Sequence, residues 1–193
     1  MEKIKFKKTR ILELNDAYLK VMCWFFSYPT QEISLNDLVE LVNISKTTAK
    51  KVVNRLLKEE FLARDILGRM WRIKCNQKHP FNMTRKIAYN LQLIYESGII
   101  DGILNSISNP RSMILFGSYR KGDDTENSDI DIAVETLDDE EVKIENVGII
   151  PSLGYRKDVK VNILKFSRNK IDLNLFTNIA NGIVLYGLLE VHP

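Results

Sequence analysis

Apolar positions along the chain recur first with helical spacing and then with the spacing of strands. Asn15 to Ser27 is an apolar, helix-like run that Pro29 ends. Ser34 to Val42 reads as a short helix with a hydroxyl near its start, and Ser45 is placed to cap a third helix, Lys46 to Glu60. In that third helix Ala49, Val52, Val53, Leu56 and Leu57 fall at i, i+3, i+4, i+7 and i+8, a stripe that must be buried. Lys46, Thr47, Thr48, Lys50, Lys51, Asn54 and Lys58 occupy the opposite face. Phe61–Ile66 and Met70–Cys75 then flank Leu67-Gly68-Arg69, which predicts a β-hairpin with a basic tip.

Past Lys78-His79-Pro80-Phe81-Asn82 the pattern changes. Proline stops a strand there and Asn82 can cap a helix, so a long helix is expected from Asn82 to about Ser97, broken at Gly98. A second segment, Ile99 to Ser108, ends before Pro110. Tyr89 and Tyr95 are expected in the core. Strands are expected at 112–116, 129–135 and about 158–166, with a final helix from about Ile171 to Tyr186 over the sheet. The acidic run Leu137-Asp138-Asp139-Glu140-Glu141 reads as a solvated loop or a helix start. It lacks the turn glycine and ligand spacing of a calcium loop.

Charge sharpens the division. Residues 1–80 hold 16 Lys/Arg against 9 Asp/Glu, a balance of +7, and residues 81–193 hold 12 against 16, a balance of −4. Three parts are therefore expected: a basic tail over 1–10, a basic domain over 11–79 and an acidic domain over 80–193. A hydrophobic content of 45% and a charged content of 27% are those of a globular protein with a full core. No run is long and apolar enough for a membrane span, and the basic start leads into no signal core. Two cysteines and two histidines form no zinc pattern, and a reduced, cytoplasmic setting is expected.

The chemistry is concentrated in residues 115–135. Met113-Ile114-Leu115-Phe116 is a strand-like run that ends at Gly117-Ser118, and Asp129-x-Asp131 follows after ten residues. Glycine at 117 allows a sharp turn and a close approach of phosphate to the main chain. Ser118 offers a hydroxyl and a backbone N–H at the start of a short helix, and Arg120 and Lys121 add positive charge. In the second strand Ile130, Ile132 and Val134 face one way, Asp129 and Asp131 the other. Two carboxylates on one strand face repel, and a hard cation such as Mg²⁺ held with phosphate oxygens relieves the repulsion.

This segment resembles the signature of the DNA polymerase beta-like nucleotidyltransferase superfamily, and more narrowly the minimal nucleotidyltransferases of archaea and bacteria. The resemblance covers roughly residues 84–188. It implies that Gly117 and Ser118, with Arg120 and Lys121, hold a nucleoside triphosphate, with ATP expected, and that Asp129 and Asp131 bind Mg²⁺ or Mn²⁺ and carry catalysis. The family usually has a third carboxylate on a later strand. The matching stretch here is Val161-Asn162-Ile163-Leu164, so Asn162 stands at that metal position. An amide oxygen can ligate a metal, but the amide has no charge and is no general base near neutral pH. Glu135 and Asp158 are open as substitutes.

The helices and hairpin of residues 11–76 resemble a winged helix-turn-helix DNA-binding domain. That implies a recognition helix whose Ser45, Lys46, Thr47, Thr48, Lys50 and Lys51 meet double-stranded DNA, with Arg69, and Arg72 beside it, reaching from the wing. The expected fold is α+β: a winged helix-turn-helix domain, then a nucleotidyltransferase-fold domain with a small mixed sheet. Two functions stay open. One is an enzyme that moves a nucleotidyl group to a hydroxyl acceptor, a protein acceptor such as a partner toxin being implied by the resemblance to antitoxins. The other is a transcriptional regulator whose degenerate domain binds nucleotide or a partner without turnover. Winged-helix regulators of palindromic sites act as dimers, so a homodimer is expected in that case.

Overall fold

The computed structural model describes residues 17–68, 70–138 and 141–191. The basic tail at 1–10, the expected start of the first helix and Arg69 lie outside the described residues. From Ala17 the described residues run α1 (Ala17–Ser27), β1 (Glu32–Ser34), α2 (Leu35–Val42), α3 (Lys46–Lys58), β2 (Leu62–Leu67) and β3 (Met70–Cys75). Ser34 and Ser45 start α2 and α3 by accepting the N–H groups of Asp37 and Thr48, at 3.2 and 3.1 Å. Each serine thereby satisfies a donor that the first helical turn leaves orphaned. α3 buries Ala49, Val53 and Leu56 and packs against α1 and α2. The hairpin β2–β3 gains a third antiparallel strand, β1, in the order β1-β3-β2. Glu32–Ser34 was not expected as a strand, because three residues show no periodicity.

The second half runs α4 (Pro80–Met83), α5 (Arg85–Glu96), α6 (Ile99–Ser106), β4 (Ser112–Phe116), α7 (Gly117–Lys121), β5 (Ile130–Glu135), β6 (Lys143–Leu153), β7 (Arg156–Phe166), α8 (Leu173–Ala180) and β8 (Ile183–Gly187). Its sheet has the order β6-β7-β5-β4-β8. β5 and β7 are parallel and the other neighbours antiparallel, so the sheet is mixed and the fold is α+β.

Four expectations need correction. The helix expected from Asn82 is two pieces, divided at Thr84, and its cap is His79, whose Nδ1 accepts the Phe81 N–H at 3.2 Å. Asn82 is instead buried inside α4 and donates to the carbonyls of Asn76 and His79 at 3.0 and 3.3 Å. Tyr95 is 54% exposed, off the buried stripe that Tyr89 occupies. Strand β6 went unread because, at the sheet edge, four of its first five positions are open or half open to solvent and carry Lys143, Ile144, Glu145 and Asn146. The last helix stops at Ala180, and Ile183-Val184, β-branched and stiff at χ1, continue as a strand paired with β4.

One hydrophobic cluster runs through both halves. It joins Phe25 and Phe26 of α1 to Leu93 and Ile94 of α5, and these to Ile130, Ile132, Val161 and Ile163 of the sheet. Polar contacts cross the same junction: Ser27 Oγ lies 3.1 Å from Tyr89 Oη, and Tyr28 Oη donates to the Tyr155 carbonyl at 2.8 Å. A smaller cluster of Ile114, Ala133, Leu164, Phe166 and Ile179 fills the other face of the sheet, under α8. Cys23 and Cys75 are free and buried, which pushes both thiols up to about 12. No helix among the described residues is long and apolar enough to cross a membrane.

The buried stripe of α5 contains two polar residues, Lys86 and Asn90. Lys86 is 1% exposed and its Nζ lies 3.3 Å from Asp124 Oδ1, itself on a residue 3% exposed. Nζ also donates to the Asp124 carbonyl, and Asn90 Nδ2 donates to Asp124 Oδ1 at 2.8 Å and to the Tyr119 carbonyl at 3.1 Å. Burial pushes Lys86 down and Asp124 up, and their mutual attraction opposes both. Removing one partner strands the other's charge in the core. Lys86→Met is therefore expected to lower stability in urea unfolding by about 3–5 kcal/mol; a loss below about 1 kcal/mol would mean the pair is not ionised in the fold.

Candidate active site

The two ends of the glycine-serine to carboxylate segment are brought together by strand register. Phe116, the last residue of β4, is opposite Asp131 of β5, and Asp131 is opposite Asn162 of β7. Gly117, the next residue, has φ +72°, and a β-carbon there would lie 2.8 Å from Asp131 Oδ2. Only glycine allows both the left-handed turn and this approach. Ser118 and Arg120 of α7 are partly exposed and Lys121 is exposed.

Asp129 and Asp131 converge on one amide. Asn162 Nδ2 donates to Asp129 Oδ2 at 3.3 Å and to Asp131 Oδ1 at 3.1 Å, and Asn162 Oδ1 accepts from Asn146 Nδ2 at 3.2 Å. Burial pushes the Asp131 carboxyl up; the hydrogen bond from Asn162 opposes this, and the nearby Asp129 carboxylate adds to it. Two carboxylates are hard oxygen donors of the kind that Mg²⁺ or Mn²⁺ takes. The two carboxylates fit such an ion, and the Asn162 amide fits it only with its oxygen turned toward them. Among the described residues no group of three or more His, Cys, Asp or Glu side chains is placed to hold a metal ion.

The loop 122–129, which delivers Asp129, is fixed from two sides. Lys86 and Asn90 hold Asp124 from α5. From β7, the buried Arg156 donates Nη2 to the carbonyls of Glu126 and Ser128, at 2.9 and 2.6 Å, and Nη1 to Tyr119 Oη. Gly122, at φ +79°, begins the loop where a β-carbon would overlap the Asn82 carbonyl. The proposed substitutes for the third acid lie elsewhere. The Glu135 carboxylate, at the far end of β5, is held by Ser112 at 3.1 Å and Arg168 at 2.9 Å. Asp158 is an exposed residue near the β6–β7 turn, with φ +52°.

The residues expected to meet DNA lie together at the start of α3. Ser45 and Thr48 are occupied in capping, with their hydroxyls 2.8 Å apart, and Lys46, Thr47, Lys50 and Lys51 are exposed. Lys50 Nζ lies 5.7 Å and the Arg64 guanidinium 4.2 Å from the centre of the Trp71 ring, which ties α3 to the hairpin. Arg72 is paired with Glu32 at 2.8 Å, so its charge is already shared. Sequence reasoning missed Lys86, Asn90, Asp124, Arg156 and Asn146. A signal existed for two of them, because Lys86 and Asn90 fall on the apolar stripe of α5, where a polar side chain needs a partner.

The raised Asp131 has a consequence for stability. A carboxyl whose pKa is higher folded than unfolded favours the fold in its protonated form and opposes it when ionised. Asp131→Asn keeps an acceptor toward Asn162 and removes the charge. It is expected to raise the melting temperature at neutral pH, with the gain shrinking as pH falls through the folded pKa of Asp131. A lower melting temperature for Asp131→Asn across the whole pH range would contradict this.

Comparison with known proteins finds a match for part of the chain. No curated protein and no solved structure matches the chain. Residues 99–185, which include the whole segment from Gly117 to Asp131 and also Asn162, match the family model of the nucleotidyltransferase domain.

Proposed function

We propose that residues 80–193 bind a nucleoside triphosphate, ATP first, with Mg²⁺ or Mn²⁺ and transfer its nucleotidyl group to a hydroxyl acceptor. One observation carries this reading: the close approach of Gly117 to Asp131, which sets a phosphate-binding turn directly against a carboxylate pair. In it Gly117 and Ser118 offer backbone N–H and hydroxyl groups to the triphosphate, and Arg120 and Lys121 balance its charge. Asp129, Asp131 and the amide of Asn162 hold the cation. When bound, that ion supplies charge neutralisation at the transferring phosphoryl group and a lower pKa for the attacking hydroxyl. The catalytic pair of this reading is Asp129 and Asp131.

Residues 11–79 act in this reading as a winged helix-turn-helix domain that binds double-stranded DNA, with α3 as the recognition helix. The exposed charges of Lys46 and Lys51, the Lys50–Trp71–Arg64 stack and the +7 balance of residues 1–80 support it. A second reading has its own support. The Asn162 amide donates to both carboxylates, which satisfies them without a cation. On that reading the protein is a regulator that binds nucleotide or a partner protein, a toxin-like one among the candidates, without turnover.

Incubation with labelled ATP and Mg²⁺, with and without cell extract, separates the two. Transfer of label to a macromolecule, lost in Asp129→Ala with Asp131→Ala, is expected for the enzyme; binding without transfer supports the regulator. For DNA, replacing Lys46, Lys50 and Lys51 by alanine should lower the salt slope of duplex affinity by about three units, one for each lost phosphate contact. An unchanged slope removes α3 from the interface.

A further inference from the structure

Asn146 on β6 is opposite Asn162 on β7, next to a break in register before Gly148. Its Nδ2 donates to Asn162 Oδ1 at 3.2 Å. This bond faces the Asn162 carbonyl away from the carboxylates and leaves Nδ2 to face Asp129 and Asp131. An N–H group has no lone pair for a cation. Asn162 can serve as a ligand only after its amide turns over, which brings its Nδ2 against the Nδ2 of Asn146. Two donors then face each other, unless Asn146 turns as well and offers its own Oδ1.

We propose that Asn146 is the positioning residue of the metal site, forming with Asn162 a two-state amide pair. In one state, the one seen here, the pair satisfies the carboxylates without metal. In the other, both amides are turned, Asn146 accepts from Asn162, and Asn162 Oδ1 completes the oxygen donor set for Mg²⁺ or Mn²⁺. The inference rests on the reading that Asp129 and Asp131 hold the cation. Asn146 is exposed and packs no core, so it can turn at little cost and be replaced without loss of the fold. It acts through Asn162, as groups that orient metal ligands do.

Mn²⁺ affinity, measured by titration of the full chain, tests the pair. Asn146→Asp has an acceptor only, so it favours the turned state and should tighten Mn²⁺ binding about tenfold. The added charge could do the same by attraction alone, and the Asn162→Asp background distinguishes the two. There the ligand is a carboxylate whatever its orientation, so Asn146→Asp should change Kd less than about twofold. Equal tightening in both backgrounds, or no tightening in the native one, overturns the proposal. Asp129→Asn with Asp131→Asn reports on the underlying reading in the same titration. If Kd is unchanged in that variant, the carboxylates are not the metal site and the proposal falls with them.

Discussion

The buried pairing of Lys86 with Asp124 is the constraint around which the second half of the chain is arranged. Two charges at 1% and 3% exposure are costly to desolvate, and the structure offsets that cost with closely placed donors. Lys86 pairs with the Asp124 carboxylate and donates a hydrogen bond to the Asp124 carbonyl, and Asn90 donates to the same carboxylate. The result is a loop whose main chain is anchored to a helix rather than left to solvent. Arg156 does the corresponding work from the sheet, collecting the carbonyls of Glu126 and Ser128. The position of Asp129 is set between these two cations. Asp129 therefore owes part of its placement to residues that do not touch it.

The same loop is within reach of the first half of the chain. Thr30, just past α1, donates to Glu126, while Tyr28 bonds the Tyr155 carbonyl beside Arg156. The shared cluster beneath them, from Phe26 through Tyr89 to Ile130, has no seam at which the halves could separate without exposing apolar surface. The charge boundary near residue 80 is thus a boundary of surface character and not of packing. Composition reports what faces water, and it says little about which buried faces meet.

How legible the structure was in the sequence follows from this. The stripe on α3, the capping serines and the hairpin strands were readable, because each is a local pattern enforced by a local rule. The turn at Gly117 was readable because a glycine directly after an apolar run marks a sharp turn of the chain. Edge strands were not: β6 and β8 are half exposed, and their pairing comes from partners distant in sequence rather than from their own periodicity. Missing β6 meant missing Asn146, since only the β6–β7 register brings it to Asn162. Lys86 could have been flagged from its place on an apolar face, but its partner Asp124 could not, because a loop carries no spacing rule.

The parallel pairing of β5 with β7 has a consequence for how the molecule is made. Asp131 and Asn162 meet only when two strands separated by the whole β6 excursion come into register, with Ile130, Ile132, Val161 and Ile163 entering the core together. Parallel pairs closed over such sequence separations form late, after local helices and hairpins. A slip of one residue would turn the amide inward and an isoleucine or valine outward, a penalty large enough to enforce the register. Formation of the carboxylate cluster and completion of the hydrophobic core are therefore the same folding event. A nascent chain in which β5 and β7 have not yet paired lacks the contact between Asp131 and Asn162.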